Sequence, residues 1–395
     1  MATKMSSLCL AALIAGANPL GHAEPKEPQR AENAPIAKET PKTQRLIACR
    51  VENRSELLEW YGGTRDSESA VAAGLKWLAD HQLADGSWSF DHREAASCRG
   101  ACHNPGSEKA ARYGATGLAL LAFLGSGQSH KSGEHKTAID NGLRFLVRSM
   151  NPMTGALKDG TKGMYSHAIA TWSLCDAYEL SQDESLLAFV KRGMGFTLVA
   201  QDPVGGGWRY EPRQPGDLSV TAWTSLALDS AQHGSIRMPE VTWAGVDNFL
   251  DWVQSKEGAA YGYDRPGAGP ATSAIGLLLR EHRGWSRDRD ALKRGIEELA
   301  RRGPNKTNPY FNFFASQALF HYGGEHWDKW NKALREHLVA QQSQAGHEKG
   351  SWYFDRLVQG NAAGGRLYQT ALCTLTLQTY YRYPRIFGEA AKPAR

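Results

Sequence analysis

Two kinds of apolar run alternate along the chain between about residues 70 and 383. In the first kind, Lys, Arg, Asp and Glu fill one face and apolar residues the other, as in Ala73-Gly74-Leu75-Lys76-Trp77-Leu78. That pattern predicts an amphipathic helix lying on a core. The second kind is small and apolar nearly all round, as in Leu118-Ala119-Leu120-Leu121 and Leu226-Ala227-Leu228. A helix with no polar face is a buried helix.

The first run carries a recurring signature. After Ala73 come Trp77, Gln82, Asp85-Gly86 and Trp88; Arg192-Gly193, Gln201 and Gly206-Gly207-Trp208 repeat it with a one-residue shift. Lys332-Ala333, Gln341-Gln342 and Gly350-Ser351-Trp352 repeat it with a longer loop. Fainter copies start at Asn141-Gly142-Leu143, Leu250-Asp251-Trp252-Val253 and Arg294-Gly295-Ile296. A spacing of roughly 40 to 70 residues suits a helix pair with its loops.

The second runs align on a residue followed by a small one: Thr116-Gly117, His167-Ala168, Thr221-Ala222, Ser273-Ala274, Phe314-Ala315 and Thr370-Ala371. His167 stands where the other copies carry Thr, Ser or Phe, and is the one titratable side chain at the first place of that frame. Six outer and six inner helices predict an all-α, two-layered α/α toroid, with small residues letting the inner helices approach. An open solenoid would instead need capped ends.

Composition adds limits. Of 395 residues, 41 are Gly and 12 Trp, so many tight turns carry large aromatics. The net charge of +5 comes from 46 basic residues interspersed with 41 acidic ones, with no basic stripe, so no nucleic-acid partner is expected.

Residues 1–23 read as a signal peptide, with Lys4, an apolar stretch Leu8 to Ala17, and Gly21-His22-Ala23 near a cut. A frayed cytosolic N-terminus is the plain alternative. Residues 24–55 read as a disordered Pro/Lys/Glu-rich tether, 56–388 as the toroid, and 389–395 as a disordered tail. No stretch is apolar enough for an integral membrane segment, so the expectation is an exported protein, periplasmic or secreted.

Cys9 would leave with the signal; Cys175 and Cys373 sit in apolar runs and read as buried thiols. Cys49 lies in the tether. Cys98-Arg99-Gly100-Ala101-Cys102-His103 is a loop with four readings. A Cys98–Cys102 disulfide suits an oxidising compartment. Free thiols are a second reading. A metal loop would offer three ligands where a closed zinc site takes four. Haem attachment takes one residue fewer between the cysteines. The disulfide is the reading adopted, with no metal and no cofactor expected.

The signature Lys/Arg-Gly/Ala-x-x-aromatic-aliphatic-x-x-x-Gln-x-x-x-Gly-x-Trp resembles the glutamine–tryptophan motif of squalene cyclases. The stretch from Gly205-Gly206-Gly207-Trp208 through Asp217, Ser219 and Trp223 also resembles the β-subunits of protein prenyltransferases. The resemblance implies a toroid with an aromatic-lined apolar cavity. Its chemical signatures are missing. There is no Asp-x-Asp-Asp proton donor, no Asp-Asp-x-x-Asp magnesium cluster and no Cys-Gly-Glu-Gln thioester. Ser219 stands where prenyltransferases place a zinc-binding thiolate, and Asp288-Arg289-Asp290 reads as a helix start.

The inner-helix starts supply Arg112, Tyr165, His167, Asp217, Tyr310, Asn312, Arg366 and Tyr368, expected at one end of the ring and pointing at its axis. Asp217 and His167 are the candidate acid/base pair, or else a helix N-cap and a core imidazole. Arg112 and Arg366 are candidates for an anionic head group. Trp172, Trp223, Phe313 and Phe314 are candidates for the cavity lining, or for plain core packing.

Three functions follow, in order. First is a toroid that binds an isoprenoid or similar apolar molecule, with cyclase- or transferase-like chemistry if it is an enzyme. Second is a non-catalytic envelope scaffold for a protein partner. Third is a carbohydrate hydrolase or lyase, for which Asp217 is the one acidic residue among the inner-helix starts, with Asp85, Asp91, Asp264 and Asp355 in loops.

Overall fold

The computed structural model describes residues 53–387 apart from 355, 356, 359 and 383. The expected signal peptide, nearly all of the tether, the tail, Cys9, Cys49 and Asp355 lie outside the described residues. Every one of the six predicted outer starts falls in an outer helix: α2 (Arg65–Asp80), α4 (Lys136–Ser149), α6 (Glu184–Val199), α8 (Glu240–Val253), α10 (Asp290–Arg302) and α12 (Gly324–Gln341). The inner helices are α3 (Arg112–Gly125), α5 (Gly163–Ser181), α7 (Leu218–His233), α9 (Pro270–His282), α11 (Pro309–Tyr322) and α13 (Asn361–Leu377). A short α1 (Arg54–Tyr61) precedes them and α14 (Thr379–Arg382) follows. A two-stranded ribbon pairs β1 (Gln254–Ser255) with β2 (Ala260–Tyr261).

The layers follow from the pattern of side chains. In α10 only Ala291, Leu292, Gly295, Ile296 and Leu299 are buried, a stripe one helical turn apart, while its acids and arginines face out. In α3 every residue from Gly114 to Gly125 is buried. Inner helices pack in the order α3, α5, α7, α9, α11, α13 and back to α3, so the inner ring closes. Small residues set its tightness: a Cβ at Gly117 of α3 would run into the backbone of Ala170 in α5. Caps fix where helices begin. Thr64 accepts from Ser67 N at 3.1 Å at the start of α2, and Asn308 accepts from Phe311 N at 3.0 Å ahead of Pro309 in α11.

Candidate functional site

The repeated Gln, Gly and Trp form one wall unit. Gln82 Nε2 donates to Gly86 O and to Ala138 O in the next outer helix, both at 2.8 Å. Gln201 does the same to Gly206 O at 2.7 Å and Thr242 O at 2.9 Å. Gln342 does it to Gly350 O and Ala70 O, both at 2.8 Å. Gly86, Gly206 and Gly350 have positive φ, and a Cβ on any of them would strike the backbone of that next helix at Asn141, Gly245 or Ala73. Trp88, Trp208 and Trp352 are wholly buried, and their indole N–H groups donate to Leu78 O, Thr197 O and Leu338 O.

The frame residue of each inner helix belongs to the same unit. Thr116, Thr221 and Thr370 accept from the backbone N of Trp88, Trp208 and Trp352 at 3.0, 3.0 and 3.1 Å. Ser273 accepts from Tyr261 N at 3.1 Å. His167 Nδ1 accepts from Leu157 N at 3.1 Å, and its Nε2 meets Thr197 Oγ1 at 2.9 Å. His167 is therefore a fully engaged wall residue turned to its own loop and the outer layer, away from the ring axis. Burial holds it neutral, with its pKa lowered to about 3. In the fifth hairpin Asn312 Oδ1 accepts from Asn305 N at 2.9 Å, so the frame there is Asn312 and Phe314 lies two residues beyond it.

The expected direction of the arginines is also corrected. Arg112 donates to Asp85 at 2.9 Å and to Ser87 Oγ. Arg366 donates to Ser351 Oγ at 2.9 Å and pairs with Glu348 at 2.8 Å. Both guanidiniums tie the residue before the motif Trp to the inner helix, and neither faces the axis as a free anion fork.

Two residues before the frame is the column that meets the axis. It holds Tyr165, Ser219, Tyr310 and Tyr368. Tyr165 and Tyr310 both lie by Ser219 and Asp217, although α5 and α11 are opposite members of the inner ring. Tyr368 lies by Tyr310. All three phenols are deep enough that burial raises their pKa, yet the three residues stay half-buried. Tyr310 Oη is buried without a hydrogen bond, and Ser219 is only 9% exposed. Beneath them Trp223 of α7 stacks on Phe313 of α11 at 5.6 Å, with Trp172 at 5.8 Å and Phe314 at 5.6 Å from Trp223. These four rings are at most 2% exposed, so they pack on one another as core and do not line an open cavity.

Asp217 is the N-cap of α7, accepting from Val220 N at 2.9 Å. Its other oxygen, Oδ2, is buried without a hydrogen bond, and burial raises the pKa of the carboxyl. Beside it Tyr263 Oη is bonded to Tyr210 Oη at 2.7 Å. No hydrogen bond or ion pair joins Asp217 to His167 among the described residues. Asp159 is a second carboxyl near the inner-helix starts that sequence reasoning missed. It accepts from Tyr113 N at 2.7 Å, and burial raises its pKa.

The cysteine loop departs from expectation. Cys98 and Cys102 are free, buried thiols in this structure, so the expected disulfide is not formed. Cys102 Sγ lies 3.4 Å from His81 Nε2 and 3.2 Å from His347 Nδ1. His103, the third ligand offered by the loop sequence, turns instead to Glu348, with Nδ1 to Oε1 at 3.0 Å.

No family model matches the chain, and no curated protein matches it either. Solved structures do. A variant of the α-1,6-mannanase GH76A of Salegentibacter sp. HEL1_6, in complex with α-1,6-mannotriose, aligns over 80% of this chain and 99% of its own, with TM-score 0.55 and 8% identity. A variant of the type II terpene cyclase MstE from Scytonema, in complex with geranylgeranyl dihydroxybenzoate, aligns over 80% of this chain and 96% of its own, with TM-score 0.52 and 12% identity. An α-amylase from Clostridium perfringens aligns over 79% and 98%, with TM-score 0.52 and 12% identity. At these identities the likeness shows the α/α-toroid fold, shared by a terpene cyclase and by glycoside hydrolases.

Proposed function

We propose that the inner-helix starts of this toroid enclose a recess for a small apolar molecule of the isoprenoid kind, and that Asp217 and the surrounding phenols meet the one polar group of that molecule. The observation that carries the reading is the convergence of half-buried Tyr165, Tyr310 and Tyr368 on Ser219 and Asp217, beside packed aromatic rings. Aromatic faces suit an unsaturated apolar chain, and the buried Asp217 Oδ2, which has no hydrogen bond, suits a hydroxyl that would donate to it. The terpene cyclase that shares the fold holds a geranylgeranyl compound. No reaction is assigned, because the proton-donor and magnesium motifs are missing and His167 is used by the wall. On residues 1–23 we read the chain as exported.

The carbohydrate reading is weaker. The matched mannanase is inactive when two consecutive aspartates are replaced, and this chain has no two consecutive aspartates. A scaffold that binds a protein partner draws its support from the packed rings themselves, since Trp223 and Phe313 leave no open passage between them at that level.

Mass spectrometry of an organic extract of the purified chain tests the proposal. A stoichiometric apolar compound is expected, lost in Ser219→Trp, which fills the recess without touching the wall units. An empty extract, with Ser219→Trp as stable as the parent in the presence and absence of added geranylgeraniol, would sink it in favour of the scaffold.

A further inference from the structure

We propose that His81, Cys98, Cys102 and His347 form a tetrahedral site for one structural Zn2+ ion that joins the first and last hairpins of the ring. The ligand atoms of these four residues all lie within 4.8 Å of one another. A tetrahedral zinc centre with bonds of about 2.0 Å to nitrogen and about 2.3 Å to sulfur spaces its ligand atoms by roughly 3.3 to 3.8 Å. The observed separations from Cys102 Sγ, 3.4 Å to His81 Nε2 and 3.2 Å to His347 Nδ1, are of that size. Cys102 Sγ also lies 3.4 Å from His347 O. Two thiols and two imidazoles are a soft, closed donor set, which selects zinc over magnesium or calcium.

The surroundings are those of a built site. His81, Cys98 and Cys102 are each at most 1% exposed. His81 caps α2, and its Nδ1 is fixed by Trp77 O at 2.7 Å. That bond makes Nδ1 the protonated nitrogen and leaves the Nε2 lone pair aimed at the cysteines, the usual outer support of a metal-bound histidine. The Trp77 ring stacks on His81 at 3.9 Å and holds the imidazole plane. Around the far side, Arg366 pairs with Glu348, next to His347, and donates to His103 O at 3.2 Å, next to Cys102. With four protein ligands the ion has no open position, so the site is structural. On binding, each thiol releases its proton to solvent and two Zn–S and two Zn–N bonds form, with no change of oxidation state.

The placement gives the ion a task. His81, Cys98 and Cys102 belong to the first hairpin and His347 to the loop of the last, 245 residues after Cys102. Zinc would tie the two hairpins whose meeting closes the ring, and cross-links that close long loops restrict the unfolded chain most.

The test is the zinc content of the full chain purified without chelator, with the spectrum of its cobalt-substituted form. About one equivalent of zinc per chain is expected, as for other closed structural sites. Cobalt should give the intense visible bands and the sulfur charge-transfer band of a tetrahedral thiolate centre. Cys98→Ser, Cys102→Ser and His347→Ala should lose most of the zinc, whereas His103→Ala, at the nearest histidine in sequence, should keep it. The parent chain alone decides the matter if a variant fails to fold. Zinc-free parent chain whose thiols react equally fast with and without added Zn2+ would overturn the site, and so would a Cys98–Cys102 disulfide in its mass spectrum.

Discussion

The loops that follow Trp88 and Trp208 start from the same unit and then part company. Before the tryptophan, both are built of a Gln that reaches the next outer helix, a Gly in positive φ and an indole bonded to its own outer helix. After it, the first loop carries buried Cys98 and Cys102 to the last hairpin, and the third leads to Asp217 and the phenols. What repeats makes the ring, and what occurs once marks where the ring can do something. His167 shows the cost of ignoring that division: it is singular in type, but its job is the one that threonines do elsewhere.

The most damaging change should be to a repeated residue. Trp208→Ala is expected to cost about 3–5 kcal/mol, and Trp88→Ala a similar amount, read from urea unfolding. Tolerance of either would break the claim that the unit builds the wall. Next, Thr221→Val leaves the Trp208 N–H buried without an acceptor and should cost about 1–3 kcal/mol, with Thr370→Val matching it at Trp352.

A third prediction concerns acid. His167 is held at about 3 in the fold against 6.5 when exposed, so the fold favours its neutral form. Its contribution is present in full above pH 6.5 and is lost as pH falls toward 3, because the unfolded chain takes up the proton first. His167→Asn, which supplies the acceptor that Asn312 supplies in the fifth hairpin, should fold and should show a shallower loss of stability between those pH values. An unchanged slope would mean that His167 does not stay neutral. The smallest effect is expected at a residue that occurs once: Asp217→Asn keeps the N-cap and should change stability by less than about 1 kcal/mol, against about 1 kcal/mol lost in Asp217→Ala. If Asp217→Asn nevertheless abolishes retention of an extracted ligand, the division between wall and site is sharpened at one carboxyl.

The wall was legible because its bonds are local and recur. Outer starts at Ala73, Asn141, Arg192, Leu250, Arg294 and Lys332 could be read from spacing alone, and each lies in an outer helix. The frame slipped only at Phe314, where Asn312 does the accepting and an aromatic pair hides it. Direction was harder to read. Two residues, about half a helical turn, separate the Arg366 guanidinium that faces its own loop from the Tyr368 phenol, and the alignment of frames does not say which residue of a turn looks inward. The histidine and cysteine set was out of reach of local pattern, since His81 is a helix cap and His347 lies in a distant loop. One signal was available: a closed ring makes its first and last loops neighbours, and both carry histidines close to a Gly-Ser-Trp.

The bond from Gln342 to Ala70 O has a consequence for how the chain is threaded. It is the same bond that leads from the Gln82 and Gln201 units to the next outer helix, here leading from the last unit back to the first. The flanking segments meet as well: Arg54 donates to Tyr381 Oη at 3.0 Å, with its guanidinium 4.3 Å over that ring. Nothing in the wall distinguishes a first hairpin from a last. A circular permutant opened between Gly234 and Pro239, with α1 and α14 joined by a short linker, would keep every wall bond and carry the old seam in its interior. The order of the hairpins in the gene then records where the circle is cut, and the circle itself is indifferent to it.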